Sequence, residues 1–428
     1  MERSSPLYRQ FIAILEEELR PAMGCTEPIA LAYAAAKARE VLGTIPCRVE
    51  AHVSGNIIKN VKSVVVPNTG GLRGISAAIC AGIIAGDAGK ELEVISNVTD
   101  AQRKALAEYM SRAEVEVSPS ASDLVFDIDL TLFGDSGDRV RLRIINHHTN
   151  LVLIQKNDTT LLELPVTESS EDNLTDKSCL SIERIVEFAD ALDVEDIRGC
   201  VGRQVEYNMA IAEAGLAGNW GANIGRVILR QQGKTLEKRA CAYAAAGSDA
   251  RMSGCEKPVI ILSGSGNQGI TASVPVVIVA REIGASEEDL LKAVAVSDLV
   301  TIHQKTGIGR LSAYCGAISA GCGAGAGIAY LRGGRFHAVA HTVVNAIAIL
   351  SGTICDGAKP SCAAKIAAAV DAGILGYDMY LENQQFYGGD GIVTKGADKT
   401  VINVGRLARE GMRETDKTIL NIMLSDGC

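Results

Sequence analysis

Two long stretches without a charged side chain, Leu311–Leu331 and Phe336–Cys355, constrain this chain more than any other feature. Each is long enough to cross a bilayer, which takes about 20 apolar residues in a helix. Both are nevertheless built largely from Gly, Ala and Ser, and the second carries His337, His341 and Asn345, so their transfer into hydrocarbon is only weakly favourable. They are expected to form buried, closely packed helices rather than membrane spans. Aromatic residues make up only 4% of the chain, so the core must be filled by Ala, Ile, Leu and Val, with Gly and Ala letting backbones approach. A compact helical domain follows.

At 428 residues the chain exceeds one ordinary core, and two or three units are expected. Tyr8, Phe11, Ile12, Leu15 and Leu19 recur at helical spacing and predict an amphipathic helix over residues 5–20, ended by Pro21. A second helix is expected after Gly24-Cys25-Thr26-Glu27-Pro28, with Thr26 or Glu27 near its N-cap and Pro28 in its first turn. From Cys47 to Leu164 short β-rich runs predominate: Arg48–Val53, Val61–Val66, Leu124–Leu132, Val140–Ile145 and Leu151–Ile154, with helical stretches at 72–86 and 99–112. Thr167–Lys177 is polar, acidic and aperiodic, and reads as a linker. Beyond it the pattern is helical. The expected class is α+β: a mostly α-helical catalytic domain (179–428) with a separate smaller mixed sheet-and-helix domain (46–166). N-terminal helices (1–45) are expected to pack on the catalytic domain, and a linker (167–178) to join the two.

The balance of 42 basic and 51 acidic side chains, a net charge of -9, provides no field for collecting phosphate backbones, so nucleic acid is not an expected partner. The first residues lack the basic start, apolar run and small-residue cleavage site of an export signal, and a cytoplasmic location is expected. Twelve cysteines in a reducing compartment point to buried small residues, a metal site or catalysis rather than to disulfides.

Four of those cysteines fall close together. Cys315 and Cys322 are separated by six residues, and so are Cys355 and Cys362. Soft thiolates select zinc or iron-sulfur clusters. Zinc usually takes tight Cys-x2-4-Cys hooks in loop-rich units, whereas these thiols lie in uncharged helical runs and at a loop-like break. Spacing alone leaves a cluster, zinc and simple burial open. Cys25, ahead of a predicted helix N-terminus that favours thiolate, is a candidate base, although Glu27 nearby opposes ionisation.

Gly264-Ser265-Gly266-Asn267-Gln268-Gly269 after Val259–Leu262 matches a dinucleotide fingerprint, but Pro275 interrupts the candidate helix and no strand is expected after it. A turn holding a small anion through its amides, Asn267 and Gln268 is the preferred reading. Ser54-Gly55-Asn56, with Lys59, could grip an amino-acid carboxylate, or simply form a solvated loop. None of the six histidines stands out as a ligand.

As a set, these segments resemble the L-cysteine desulfidase family, related to the α chain of iron-sulfur L-serine dehydratases, over nearly the whole chain. The marks are Gly24-Cys-Thr-Glu-Pro28, Ser54-Gly-Asn56, Gly264-Ser-Gly-Asn-Gln-Gly269, Gly309-Arg-Leu-Ser-Ala-Tyr-Cys-Gly316 and Cys355-Asp-Gly-Ala-Lys-Pro-Ser-Cys362. The resemblance implies a [4Fe-4S] cluster held by Cys315, Cys355 and Cys362, with one iron open to substrate and Cys322 left out. It also implies that Cys25 removes the substrate α-proton. Thr26, Glu27, Ser54, Asn56, Lys59, Asn267 and Gln268 are expected to bind the substrate. The implied reaction converts L-cysteine to pyruvate, ammonia and hydrogen sulfide. L-serine dehydration is the nearest rival, and a cluster-based redox sensor or a dinucleotide oxidoreductase comes from another class. The terminal Cys428 could occupy the open iron at rest or be idle, and self-association is left open.

Overall fold

In a computed structural model, which describes residues 1–166 and 174–425, alternation in the first half builds a sheet. Along β4 (Asp127–Phe133) and β5 (Arg139–Ile145), Ile128, Leu130, Leu132, Val140, Leu142 and Ile144 all point into one core. Asp127 and Asp129 on the opposite face meet Arg143 and Arg141 across the ladder at 2.8 and 2.6 Å. With β2 (Arg48–Val53), β3 (Glu114–Pro119), β6 (Leu151–Lys156) and β7 (Thr159–Glu163) they form a six-stranded sheet in the order β3-β2-β4-β5-β6-β7. Only β2 and β3 run parallel.

The helices of this half are α1 (Pro6–Glu18), α2 (Thr26–Leu42), α3 (Gly55–Val61), α4 (Gly74–Ala85) and α5 (Asp100–Arg112). α2 is apolar on every side, from Ile29 to Ala36, and it lies over β4 and β5 and against α4. It therefore belongs to the sheet's core, not to the helical body where the sequence pattern assigns it. α1 does join the larger core, through Phe11, Ile14 and Leu15. The strand predicted over Val61–Val66 is replaced by the end of α3 and a single Val65–Arg73 bridge. Ile57, Ile58 and Val61 carry helical spacing that the string of valines obscures.

The second half holds α6 (Ile182–Ala191), α7 (Arg203–Ala217), α8 (Ile224–Gln231), α9 (Leu236–Met252), β8 (Pro258–Ile261), α10 (Gly266–Ile283), α11 (Glu287–Ile308), α12 (Gly316–Leu331), α13 (Phe336–Leu350), α14 (Cys362–Leu381), α15 (Ala397–Arg406) and α16 (Arg413–Ser425). The fold is α+β with a mostly helical body, as the composition predicts. α12 lies at its centre, packed on α10, α11, α13 and α14. A β-carbon added at Gly325 would lie 2.4 Å from the Gly373 carbonyl oxygen, and one at Gly323 2.5 Å from that of Ser297, so these helices touch backbone to backbone. No helix among the described residues is long and apolar enough to cross a membrane.

Pro21 does not end α1, which stops at Glu18. It sits in a short strand β1 (Arg20–Met23), paired antiparallel with β8. Positions 167–173 of the predicted linker, and Cys428, lie outside the described residues. The rest of that linker is tied to α1: Thr175 N and Lys177 Nζ donate to Glu17 at 2.7 and 2.6 Å.

Candidate active site

Four helices of the molecule begin at one cleft. Cys25 is the N-cap of α2, Cys315 that of α12, and Cys362 opens α14, while Asn267 and Gln268 occupy the first turn of α10. The unpaired amides at such ends carry partial positive charge, so the cleft favours anions even though the chain is acidic overall. The space between them is about 850 Å³ with its open mouth included.

The three thiols come from two loops that a small β-contact holds together. Tyr314 bridges Ile354, with Cys315 N donating to Thr353 O (3.0 Å) and Cys355 N to Ala313 O (2.6 Å). Cys315 and Cys355 are thereby brought side by side, and the neighbouring Cys315 thiol pulls Cys355 down from its ordinary range, helped by the charge of Lys59, while the proton stays on Cys315. Cys362 follows one loop later, its Sγ 3.6 Å from Gly357 O. Gly357, at φ +97°, lets its backbone press on the Lys59 carbonyl, where a β-carbon would come within 2.4 Å. Among the described residues no three His, Cys, Asp or Glu side chains are gathered to hold a single metal ion. Cys322 does not line the cleft; it is buried on α12 with its Sγ 3.6 Å from Val343 O.

Cys25 lines the same cleft as the three thiols, in a small cluster with Val64 and Met252. Its helix N-terminus favours a thiolate, and burial opposes it. Burial pushes the thiol up to about 12 despite the nearby Arg251, and Sγ sits 3.6 Å from Met252 Sδ. A base at this position acts only once its proton has been drawn off.

The amide and charged groups divide into two kinds. Asn56 and Gln268 line the cleft, and Asn56 Oδ1 and Gln268 Oε1 are buried acceptors with no partner in the protein. Glu27 also lines it, its Oε1 accepting from Asn60 Nδ2 at 3.0 Å. Against these stand donors: Arg251, bonded to Gly24 O (3.0 Å) and Asn267 Oδ1 (3.1 Å), together with Lys59, Lys305 and Arg310. Lys59 is buried and paired with Asp416 of α16. Burial and the neighbouring Arg310 pull the Lys305 ammonium down to about 8, against the raising influence of Cys355 and Cys315.

Two expected substrate residues lie outside the lining. Thr26 Oγ1 is 3.0 Å from Gly264 O and 3.1 Å from Glu27 Oε2, a link that ties α2 to the α10 turn. Ser54 Oγ donates to Val125 O (3.0 Å) and accepts from Asp127 N (3.3 Å), which fixes the start of α3 that carries Asn56 and Lys59. The Gly264–Gly269 segment is a strand-turn-helix, with α10 unbroken at Pro275. Helix α11 follows instead of a second strand, and β8 pairs only with antiparallel β1, so the βαβ unit of a dinucleotide site is not formed.

Of the groups that the sequence pattern does not single out, the cleft gathers Asn60, His148, Arg251, Lys305, Arg310 and Tyr314. Arg251 leaves a trace in sequence, a charge at the end of the Ala-rich run Ala240–Ala250, and Arg310 and Tyr314 stand inside the Gly309–Gly316 mark without being assigned a role; Asn60, His148 and Lys305 leave none.

A family model described as the serine dehydratase alpha chain matches residues 89–421. The chain belongs to the serine dehydratase alpha-chain family. It is 58% identical to a UPF0597 protein of Desulfitobacterium hafniense, over 99% of both chains. A UPF0597 protein of Treponema denticola is 45% identical over 98% of both, and one of Actinobacillus pleuropneumoniae 37% identical over 99% of both. The family match runs through the three clustered thiols, the α10 turn and His148, while Cys25, Asn56 and Lys59 precede it; the relatives extend the likeness over those positions as well.

Proposed function

We propose that this member of the serine dehydratase alpha-chain family is a carbon-sulfur lyase that eliminates the β-substituent of L-cysteine, using a [4Fe-4S] cluster bound by Cys315, Cys355 and Cys362. The observation that carries the reading is the cleft itself. It joins three thiols to a fourth thiol, unpartnered amide acceptors and a wall of cations. A thiolate donor set at converging helix N-termini suits an anionic cluster. When bound, such a cluster with one iron free of protein ligands supplies a Lewis acid for the departing sulfur.

The chain's own groups supply the rest. Arg251, Arg310 and the α10 turn receive the substrate carboxylate, while Glu27, Asn56 Oδ1 and Gln268 Oε1 accept from its ammonium. This orients the Cα–H toward Cys25, whose thiolate takes the proton. Arg251 and the start of α2 stabilise that thiolate, and the apolar Val64 and Met252 keep water from it. The enamine released hydrolyses to pyruvate and ammonia.

The test is anaerobic purification with iron and acid-labile sulfide measured, followed by assay of sulfide and pyruvate from L-cysteine and of pyruvate from L-serine. Cys355→Ser is expected to lose iron, and Cys322→Ser to keep it. Cys25→Ser is expected to keep the iron and lose about 10²–10⁴-fold in kcat. Full activity in iron-free protein would refute the cluster, and faster turnover of L-serine would make the enzyme a dehydratase. Iron without turnover of either amino acid would favour a redox sensor.

A further inference from the structure

His148 lies in the loop between β5 and β6, yet its imidazole is buried in the cleft wall. Its ring packs edge-on against Phe126, with centroids 5.0 Å apart, and its Cε1 lies 3.3 Å from where a β-carbon on Gly264 would stand. Arg310 Nη1 is 3.5 Å from the same point. The imidazole thus sits against the turn that opens α10, beside one arginine and near a second, Arg251. Its Nε2 is buried and has no partner in the protein.

A buried polar atom left unpaired is costly unless a ligand completes it. The surroundings decide which ligand. Two guanidinium groups and a helix N-terminus repel an ammonium and attract a carboxylate. Burial, with Arg310, His147 and Arg251 nearby, holds the imidazole neutral, down to about 3. A neutral ring with its proton on Nε2 adds a donor to this corner without adding a third cation. Resting on the amino-acid reading above, we infer that His148 is a substrate-binding residue whose Nε2–H donates to the substrate carboxylate beside Arg310 and the Gly264–Asn267 turn.

Two ligands separate the subsites. 3-Mercaptopropionate keeps the carboxylate and lacks the amine; cysteamine keeps the amine and lacks the carboxylate. Calorimetric titration of cluster-loaded protein with each is compared between the wild type and His148→Gln. The expected result is a loss of about ten- to a hundredfold in affinity for 3-mercaptopropionate, with cysteamine unchanged and iron content and melting temperature retained. Equal loss of both ligands, or loss of neither, would overturn the assignment while leaving the amino-acid site standing. A wild type that binds neither ligand would sink the amino-acid reading and this inference with it. A measurement on the unaltered protein stands beside the variant. In ¹⁵N-histidine NMR spectra, the imidazole signal that His148→Gln removes should shift its N–H resonance on adding 3-mercaptopropionate and not on adding cysteamine. The opposite pattern would refute the contact.

Discussion

Asp298 on α11 is an acid that folding keeps neutral. It is fully buried, its Oδ1 accepts from Gln204 Nε2 at 2.9 Å, and its Oδ2 and Gln204 Oε1 have no partner. Burial pushes its carboxyl up to about 8. Below about pH 4 the folded and unfolded chains both hold this proton, so the group is neutral in its effect. Between there and pH 8 the unfolded chain releases the proton while the folded one keeps it, so stability declines with rising pH and levels off above 8. Asp298→Asn is expected to raise the melting temperature at pH 7–8, with the gain vanishing near pH 4; a gain independent of pH would refute the account. At this scale the sequence is legible where chemistry follows residue type and motif. Cys25, Cys315, Cys355, Cys362, Asn56, Asn267 and Gln268 are all marked in it, and all line one cleft. It is silent where burial decides. Nothing local distinguishes His148 from the other histidines, or shows that desolvation outweighs a helix N-terminus at Cys25.

Among the elements, the α12–α14 contact is set by glycines. A β-carbon at Gly321 would meet the Ala369 carbonyl carbon at 2.4 Å, and one at Gly373 the Gly321 oxygen at 2.2 Å. Backbone cannot step aside as a side chain can. Gly325→Ala is therefore expected to destabilise the protein by about 1–3 kcal/mol or more, read as a lower melting temperature with parallel loss of helical circular dichroism. No loss would mean that the two helices separate freely. These helices are foreshadowed by the uncharged Gly- and Ala-rich stretches, because burial on every face leaves that imprint on composition. β1, β8 and the edge strand β3 escape a local reading, since four to six residues become strands only through partners distant in sequence. The Val61–Val66 error has the same root: a β-branched string reads as strand until the start of α3, anchored by Ser54, claims its first residue.

In the whole molecule the cleft lies between two cores. Asn56, Lys59 and His148 come with the sheet's half, and Gln268, Cys315 and Cys362 with the helical body. A ligand held from both sides stabilises both. At a hundredfold excess over its Kd, 3-mercaptopropionate is expected to add about 2.7 kcal/mol, visible together in the fluorescence of Trp220, the sole tryptophan, and in hydrogen exchange of the β4 and β5 amides. Protection confined to one half would show that the ligand touches that half alone.

The backbone contacts of α12 also determine where such an enzyme could be retuned. Positions on α12 and α14 facing one another accept no added atom, so a library placed there would consist mainly of chains that do not fold. The wall on the sheet's side presents the amide side chains of Asn56 and Asn60 on α3, although Gly357 presses its backbone on that helix at Lys59. Exchanging one leaving group for another is therefore a matter of redrawing the sheet-side wall against a helical wall that stays as it is.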